Sequence, residues 1–286
     1  MTKTLCELAL DVLNCGDAVK KAEASRISAD KWKASSSLAV GLVPDMPDRP
    51  ARPDRPEMLH ATKMPRRRKA GSDKSKIALL HAIAHIELNA IDLAWDIIAR
   101  FTRYSDENAK DGFTLPRAFY DDWVKVADDE AKHFLMIQDR LSDFGAAYGD
   151  LPAHDGLWES STATAHDLPA RLAIVPMVLE ARGLDVTPNM ISMMKAQGDD
   201  KTADMLQIIH DDEITHVRAG TVWFESWCGY HGHDIEEYWQ SLVKTYFDGR
   251  LKPPFNHPSR EEAGMIRDWY EALVDIEYTQ TAPREI

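Results

Sequence analysis

Apolar residues recur at intervals of three and four along most of the chain, and the alternation typical of strands is nearly absent after residue 72. The pattern therefore predicts an all-α fold. Helix-capping and helix-breaking residues predict the limits of four long helices, at about residues 73–103, 116–144, 167–182 and 199–227. Four long helices with accessory elements are typical of a four-helix bundle, in which functional side chains project into the core from facing helices.

The rest of the chain divides into flanking segments. Residues 1–43 are predicted to be helical, and residues 44–72 form a proline-rich linker or strap, because six prolines between Pro44 and Pro65 restrict φ there. The bundle then occupies residues 73–228. Residues 229–286 are expected to pack on it as accessory helices at about 235–247 and 259–274, separated by an extended strap at 251–256.

Glycine and proline determine the predicted helix ends. The third long helix should end before Gly183 and the fourth near Gly229, since glycine commonly terminates helices. Residues 188–197 would then form a separate short helix. Pro176 should kink the third helix, because proline removes a backbone hydrogen bond and clashes with the preceding turn.

Charge is distributed unevenly along the chain. Residues 1–76 contain 16 Lys and Arg against 10 Asp and Glu, whereas the following residues contain 18 against 37. An acidic body repels phosphate, so nucleic-acid binding is disfavoured, although the basic run at residues 66–69 leaves a narrow exception. Three scattered cysteines do not suit a disulfide framework or a thiolate zinc centre, and no apolar run predicts a membrane helix. We therefore expect a cytoplasmic protein.

The motif D-D-E-x-x-H occurs twice, at residues 128–133 and 211–216. Residues three apart share a helix face, so Glu130 projects with His133 and Glu213 projects with His216. Apolar residues at the spacing of a buried seam surround both pairs. Both pairs are therefore predicted to point into the core.

Glu87 and Glu180 are the corresponding core-facing carboxylates of the first and third long helices. Four buried carboxylates repel one another unless cations compensate them, and two divalent metals would do so. One Glu from each of two helices and Glu-x-x-His from each of two others is a ligand set of di-iron and di-manganese carboxylate bundles. The sequence therefore predicts six ligands for a pair of metal ions, which are two iron ions, one iron and one manganese ion, or two manganese ions. The ligands are Glu87, Glu130, His133, Glu180, Glu213 and His216.

Six other side chains are candidates for secondary roles. Asp129 and Asp212 are expected to accept the second N–H of a ligating imidazole, with an exposed helix carboxylate as the alternative. Arg182 pairs either with such a carboxylate or with an ordinary surface partner. Three histidines have two alternative interpretations: they approach the metals or the substrate, or they pack as ordinary buried residues. They are His81, His85 and His210.

Three further stretches carry a family resemblance: residues 81–92 (HAIAHIELNAID), 179–185 (LEARGLD) and 251–256 (LKPPFN). Together with the metal motifs, they resemble the ferritin-like di-iron superfamily and, within it, the bacterial domain-of-unknown-function family DUF455, over about residues 40–275. The resemblance implies a ferritin-like four-helix bundle and the same six ligands, but no settled activity. By motif, the nearest functional relatives are the tRNA-modifying hydroxylases of the ferritin-like group.

Differences from better-known relatives narrow this expectation. Ile137 occupies the position at which ribonucleotide reductase small subunits hold a radical tyrosine, and three cysteines cannot form the four-cysteine iron site of rubrerythrins. Cage-forming ferritins are also much shorter chains. These differences argue against a tyrosyl radical at that position and against iron storage.

The leading hypothesis is a dinuclear metal oxidoreductase that activates dioxygen to hydroxylate or oxidise an organic substrate, either a small molecule or a modified nucleoside. An external reductase or ferredoxin would supply electrons, since no flavin-binding or cluster-binding motif is present. The alternatives are a tRNA-modifying hydroxylase-like enzyme, a peroxide-scavenging or metal-handling protein, and an interaction module with structural metals. No membrane partner is expected, and the chain is compatible with either a monomer or a homodimer.

Overall fold

The computed structural model describes residues 3–42, 45–64, 71–105, 108 and 112–274. Regular structure within these residues is helical apart from three isolated β-bridges, which confirms the all-α prediction. The chain divides into two compact units, the N-terminal unit Met1–Trp158 and the C-terminal unit Glu159–Ile286. The basic run at residues 66–69 lies outside the described residues.

Two long helices, α3 and α4, form the centre of the N-terminal unit, and two shorter helices pack against them. α3 and α4 run antiparallel, because Leu115 N donates to Tyr104 O near one end and His133 contacts Glu87 further along. The helices are α1 Leu5–Leu13, α2 Ala18–Lys33, α3 Asp73–Arg100 and α4 Arg117–Asp143, with 3₁₀ turns at Ala61–Lys63 and Thr102–Tyr104.

Local signals explain the limits of α3 and α4. Ser72 caps α3 by accepting from Ser75 N, and Pro116 occupies the N-cap position of α4. Both predicted helices are confirmed, although α3 ends three residues earlier than expected. The 3₁₀ turn at Thr102–Tyr104 takes up the difference.

A buried ionic cluster attaches the proline-rich strap to α3. The Asp92 carboxylate, which is 0% exposed, accepts from Lys21 Nζ at 2.5 Å and contacts Arg52 Nη1 at 2.9 Å. Lys21 also donates to Ala51 O at 2.9 Å. Burial lowers the pKa of Lys21 and raises the pKa of Asp92, whereas their mutual attraction opposes both shifts. The cluster therefore joins α2, the strap and α3.

α3 is long and apolar enough to cross a membrane by length and composition alone. However, 67% of its most apolar window is buried inside the protein. It also carries the buried carboxylates of Glu87, Asp92 and Asp96. These are the properties of a buried core helix.

The C-terminal unit is built around a long interrupted helix that packs against α8. α5, Gly156–Ala163, spans the boundary between the two units. The interrupted helix consists of α6 Leu168–Ile174, a π-helical segment Val175–Glu180 and α7 Ala181–Ala196. The remaining helices are α8 Asp200–His231, α9 Ile235–Tyr246, α10 His257–Glu262 and α11 Arg267–Glu271.

The predicted end of the third long helix at Gly183 is wrong. α7 continues through Gly183 and Pro188 to Ala196, so the separate short helix at 188–197 is its second half. Leu184, Ile191 and Met194 form one buried stripe across this stretch, and the burial of that stripe outweighs the local preferences of glycine and proline. At Pro176 the structure forms a wider π turn.

Two other predicted helix limits also differ from the structure. α8 passes through Gly229 and ends at Gly232, which adopts the left-handed backbone with φ of 73°. The helix expected at 259–274 is divided into α10 and α11 around Gly264, whose φ is 89°. In both cases the glycine that breaks the helix is the one with a positive φ.

The strap at residues 251–256 is held against α7. Arg182 donates to Lys252 O at 2.9 Å and to Pro254 O at 3.1 Å. Asn256 N donates to Asp185, whose carboxylate also accepts two hydrogen bonds from the buried Arg260. The extended strap predicted here is therefore confirmed within the C-terminal unit.

The first testable prediction concerns the buried cluster in the N-terminal unit. Lys21→Met should lower the free energy of unfolding by about 3–5 kcal/mol, because it leaves a buried carboxylate without its closest cation. The control is Arg267→Met, which removes an exposed partner of Glu261 and should change stability little. Urea unfolding measures both changes, and equally small losses would contradict the assigned role of Lys21.

Candidate metal centre

The N-terminal unit brings three of the six predicted ligands together in its core. Glu87 is 2% exposed, and Glu130 and His133 are both 0% exposed. His133 Nδ1 lies 3.2 Å from Glu87 Oε2 and 3.6 Å from Glu130 Oε2. Each residue offers a ligand atom within 4.8 Å of the others, which is a suitable separation for contacts with one metal ion.

Helical periodicity explains why these polar groups face inward. Glu87 lies one turn from the buried Ile83 and Ile91 on α3. On α4, Glu130 lies between the buried Ala127 and Phe134. Each carboxylate thus replaces an apolar residue within a continuous apolar stripe, as the sequence pattern predicts.

The carboxylates of this cluster are unfavourable to bury in their charged form. Burial raises the pKa of Glu87 well above its usual value, and the negative charge of Glu130 raises it further. A hydrogen bond with His133 acts in the opposite direction but has the smaller effect. A cation bound between them would offset both the desolvation and the repulsion.

The donor atoms suit a divalent metal. Two carboxylates would neutralise the charge of one such ion, and the imidazole of His133 would add a nitrogen ligand. Oxygen-rich sites with an imidazole suit iron or manganese, whereas structural zinc sites usually contain thiolates. The residues of the N-terminal unit therefore fit an iron or a manganese ion.

The C-terminal unit repeats this local arrangement on α8. Glu213 is 9% exposed and His216 is 0% exposed. His216 Nδ1 lies 3.7 Å from Glu213 Oε2, close to the 3.6 Å that separates the equivalent atoms of His133 and Glu130. Glu180, the predicted ligand on the preceding helix, is half-buried at the end of the π-helical segment.

The two aspartates expected to support the imidazoles have other contacts. Asp129 lies 2.6 Å from Lys125 Nζ and 3.2 Å from Lys132 Nζ, both on α4. The backbone carbonyl of Asp212 accepts from Thr215 Oγ1, and its side chain is half-buried. Their proposed action on a ligating histidine stays a prediction. Arg182, the third supporting candidate, contacts the 251–256 strap and Asp185.

His81 and His85 hold the loop after α4 against α3. His81 Nε2 accepts from Gly149 N at 2.9 Å and from Leu151 N at 3.3 Å. His85 contacts the Tyr148 hydroxyl at 2.8 Å and His154 O at 2.9 Å. Both imidazoles also stack on the ring of Tyr148. These contacts give the two residues a role in packing.

His210 has a comparable position in the C-terminal unit. Its Nε2 lies 3.4 Å from Ser259 Oγ and 3.5 Å from Asn256 Nδ2, and its Nδ1 lies 3.4 Å from Asp211 Oδ1. The side chain therefore connects α8 to the beginning of α10.

Sequence reasoning missed the buried polar stripe that lies on α3 opposite Glu87. At 100° per residue, the members of the stripe share one helix face about half a turn away from Glu87. The signal was their spacing of three and four, which resembles that of an apolar stripe. The stripe consists of His81, His85, Asn89, Asp92 and Asp96, all buried.

Comparisons with known proteins identify relatives but no activity. The family described as "Protein of unknown function (DUF455)" matches residues 14–271. An uncharacterized protein of Haemophilus influenzae (strain Rd) is 38% identical over 222 residues, which cover 78% of this chain and 76% of that protein. No solved structure matches the chain.

The second testable prediction uses the burial of His81. Because burial lowers the pKa of His81 below its ordinary 6.5, the unfolded chain binds a proton at this site more tightly than the folded chain. Protonation at His81 should therefore lower the free energy of unfolding as the pH drops below about 6.5, in opposition to the raised pKa of Glu87, and His81→Gln should remove this contribution. Urea unfolding between pH 8 and pH 5 measures how the free energy of unfolding of wild type and of His81→Gln changes with pH. Parallel curves for the two proteins would contradict this role of His81.

Proposed function

We propose that this chain, which belongs to the DUF455 family of unknown function, is an oxidoreductase with a dinuclear iron or manganese centre. In this proposal it uses dioxygen to hydroxylate or oxidise an organic substrate. The observation that carries the proposal is the buried cluster of Glu87, Glu130 and His133. A soluble protein has little reason to bury two adjacent carboxylates unless a cation joins them.

The proposed ligand set has two equivalent halves. Glu87, Glu130 and His133 form the first half, and Glu180, Glu213 and His216 form the second. The repeated D-D-E-x-x-H motif supports this assignment, as does the matching Glu–His separation of 3.6 Å and 3.7 Å in the two units. Four carboxylates would balance two divalent ions, which is the ligand set of ferritin-like four-helix bundles. We propose that fold here.

The residues of the chain would bind, orient and shield such a centre. The carboxylates would remain ionised beside the cations, and the imidazoles would bind in their neutral form. Ile83, Ala127 and Phe134 are buried one helical turn from these ligands on the same helices, and such apolar neighbours would limit access of water. Bound iron or manganese would supply redox chemistry with dioxygen, which no protein side chain offers.

The electron balance requires a second protein or reductant. Hydroxylation transfers one oxygen atom into a C–H bond of the substrate, and the other oxygen atom leaves as water with two protons. The substrate supplies two of the four electrons, so an external donor must supply the other two. The three cysteines of the chain are too few for a four-cysteine iron–sulfur site.

Charge favours a small organic substrate over a large nucleic acid. Residues 77–286 contain 18 Lys and Arg against 37 Asp and Glu, so this part of the chain repels a phosphate backbone. A modified nucleoside within tRNA is the alternative substrate. Binding that weakens steeply as salt increases would favour the tRNA alternative.

The third testable prediction concerns metal content. The full chain, purified without chelators, should contain about two iron or manganese ions by elemental analysis, as expected for the proposed ligand set. Glu130→Gln and Glu213→Gln should each lower the content, because each removes a charged ligand. Asp211→Asn is the control, since it neutralises an exposed carboxylate two residues from Glu213. A folded wild-type chain that binds neither metal would exclude the proposed function.

Oxygen consumption tests the second part of the proposal. The metal-loaded chain should consume dioxygen when a reductant and a suitable substrate are present, and the Glu130→Gln variant should not. Consumption of peroxide without organic substrate would instead support a peroxide-scavenging protein. Metal-loaded protein that reacts with neither dioxygen nor peroxide would contradict an oxidoreductase.

A further inference from the structure

The π-helical segment Val175–Glu180 ends on a proposed metal ligand. Pro176 is the second residue of this segment, and Glu180 is the last. Proline cannot donate a backbone hydrogen bond, and in a regular α-helix its ring would clash with the carbonyl group of Leu172. A wider π turn relieves that clash. π-helical turns of this kind occur frequently at functional sites.

Gly220 on α8 makes room for the Pro176 ring. A Cβ atom added at Gly220 would lie 2.4 Å from Pro176 Cγ and 2.6 Å from Pro176 Cβ, which are impossibly close contacts. Both residues are buried. Only glycine therefore allows α8 to approach the π-helical segment this closely.

The contact between Pro176 and Gly220 sets the register of two ligand-bearing helices. α7 and α8 are neighbours joined by three residues, so they run antiparallel. Glu180 lies four residues after Pro176, and His216 lies four residues before Gly220. Because the helices are antiparallel, Glu180 and His216 both lie about one helical turn from the Pro176–Gly220 contact in the same direction along the pair. The two residues are therefore at the same level.

The π turn also determines the direction of the Glu180 side chain. A π turn contains about one more residue than an α-helical turn, so the residues after it are rotated by about 100° relative to an uninterrupted α-helix. In a straight helix the Glu180 side chain would point about a quarter of a turn away from its present direction. Leu179, the preceding residue, would then point in the direction that Glu180 has in the structure. The orientation of Glu180 thus depends on the interruption at Pro176.

We infer that Pro176 and Gly220 form a positioning pair, which orients Glu180 as a ligand of the second metal ion. The inference rests on the proposed function, because it needs Glu180 to be a ligand. Neither residue offers a donor atom to a metal. Pro176 imposes the wider turn, and Gly220 allows the helix containing it to pack at the required distance from α8.

Titration of metal-depleted full-length chain with Mn²⁺ alone tests this inference. Wild type should bind two ions, and Gly220→Ala should weaken one of them by about 10- to 100-fold, because supporting residues have effects of that size. Gly229→Ala is the matched control, since it makes the same change in the same helix and its added Cβ meets nothing within 4 Å. It should leave both affinities unchanged.

Two further variants separate positioning from a general loss of structure. Pro176→Ala lets the helix straighten, so it should weaken the same ion as Gly220→Ala while the circular dichroism spectrum stays helical. In a Glu180→Gln background, Gly220→Ala should cause no additional loss of affinity. A merely structural effect would instead lower the affinity further in that background.

The outcomes distinguish this inference from the proposed function. If wild type binds two ions and both Gly220→Ala and Pro176→Ala retain wild-type affinities, the positioning pair is wrong and the dinuclear centre stands. If the loss in Gly220→Ala adds to that of Glu180→Gln, positioning is also wrong. A wild-type chain that binds neither Mn²⁺ nor, in the same titration without oxygen, Fe²⁺ overturns both proposals.

Discussion

The burial of two adjacent carboxylates in an apolar core is the constraint on which the N-terminal unit depends. Glu87 and Glu130 are almost fully buried, on helix faces whose adjacent turns carry buried apolar residues, so water cannot stabilise their charges. Burial and repulsion both raise the pKa of Glu87, so the metal-free core is electrostatically unfavourable. Proteins keep such arrangements where function needs them, and a metal ion is the simplest way to offset the cost.

α3 supports this arrangement by carrying polar residues on two opposite faces. One face presents Glu87 to α4, and the other presents the stripe that contains Asp92. The second face is held by Lys21 from α2 and Arg52 from the strap, together with Tyr148 from the loop after α4. The N-terminal segment and the strap therefore fix the position of the helix that carries the first proposed ligand.

Helical periodicity was sufficient to predict much of the fold and the site. It predicted α3, α4 and α8 within a few residues and the inward direction of Glu87, Glu130 and Glu213, because one regular period determines both burial and direction. It failed between Pro176 and Pro188, where tertiary packing overrides local helix signals. The contacts of Lys21 and Gly220 were also unpredictable, because their partners, Asp92 and Pro176, are more than 40 residues away in sequence.

The stability of the metal-free and metal-loaded chain tests the central claim most directly. Thermal unfolding should show that Glu130→Gln is more stable than wild type without metal, since it removes one of two buried like charges. With Mn²⁺ in excess the order should reverse, because a ligand that binds only the folded state stabilises wild type, by about 2.7 kcal/mol at 100 times its Kd. If Mn²⁺ and Fe²⁺ leave wild type unchanged, or if Glu130→Gln is less stable under both conditions, the buried carboxylates are not a metal site.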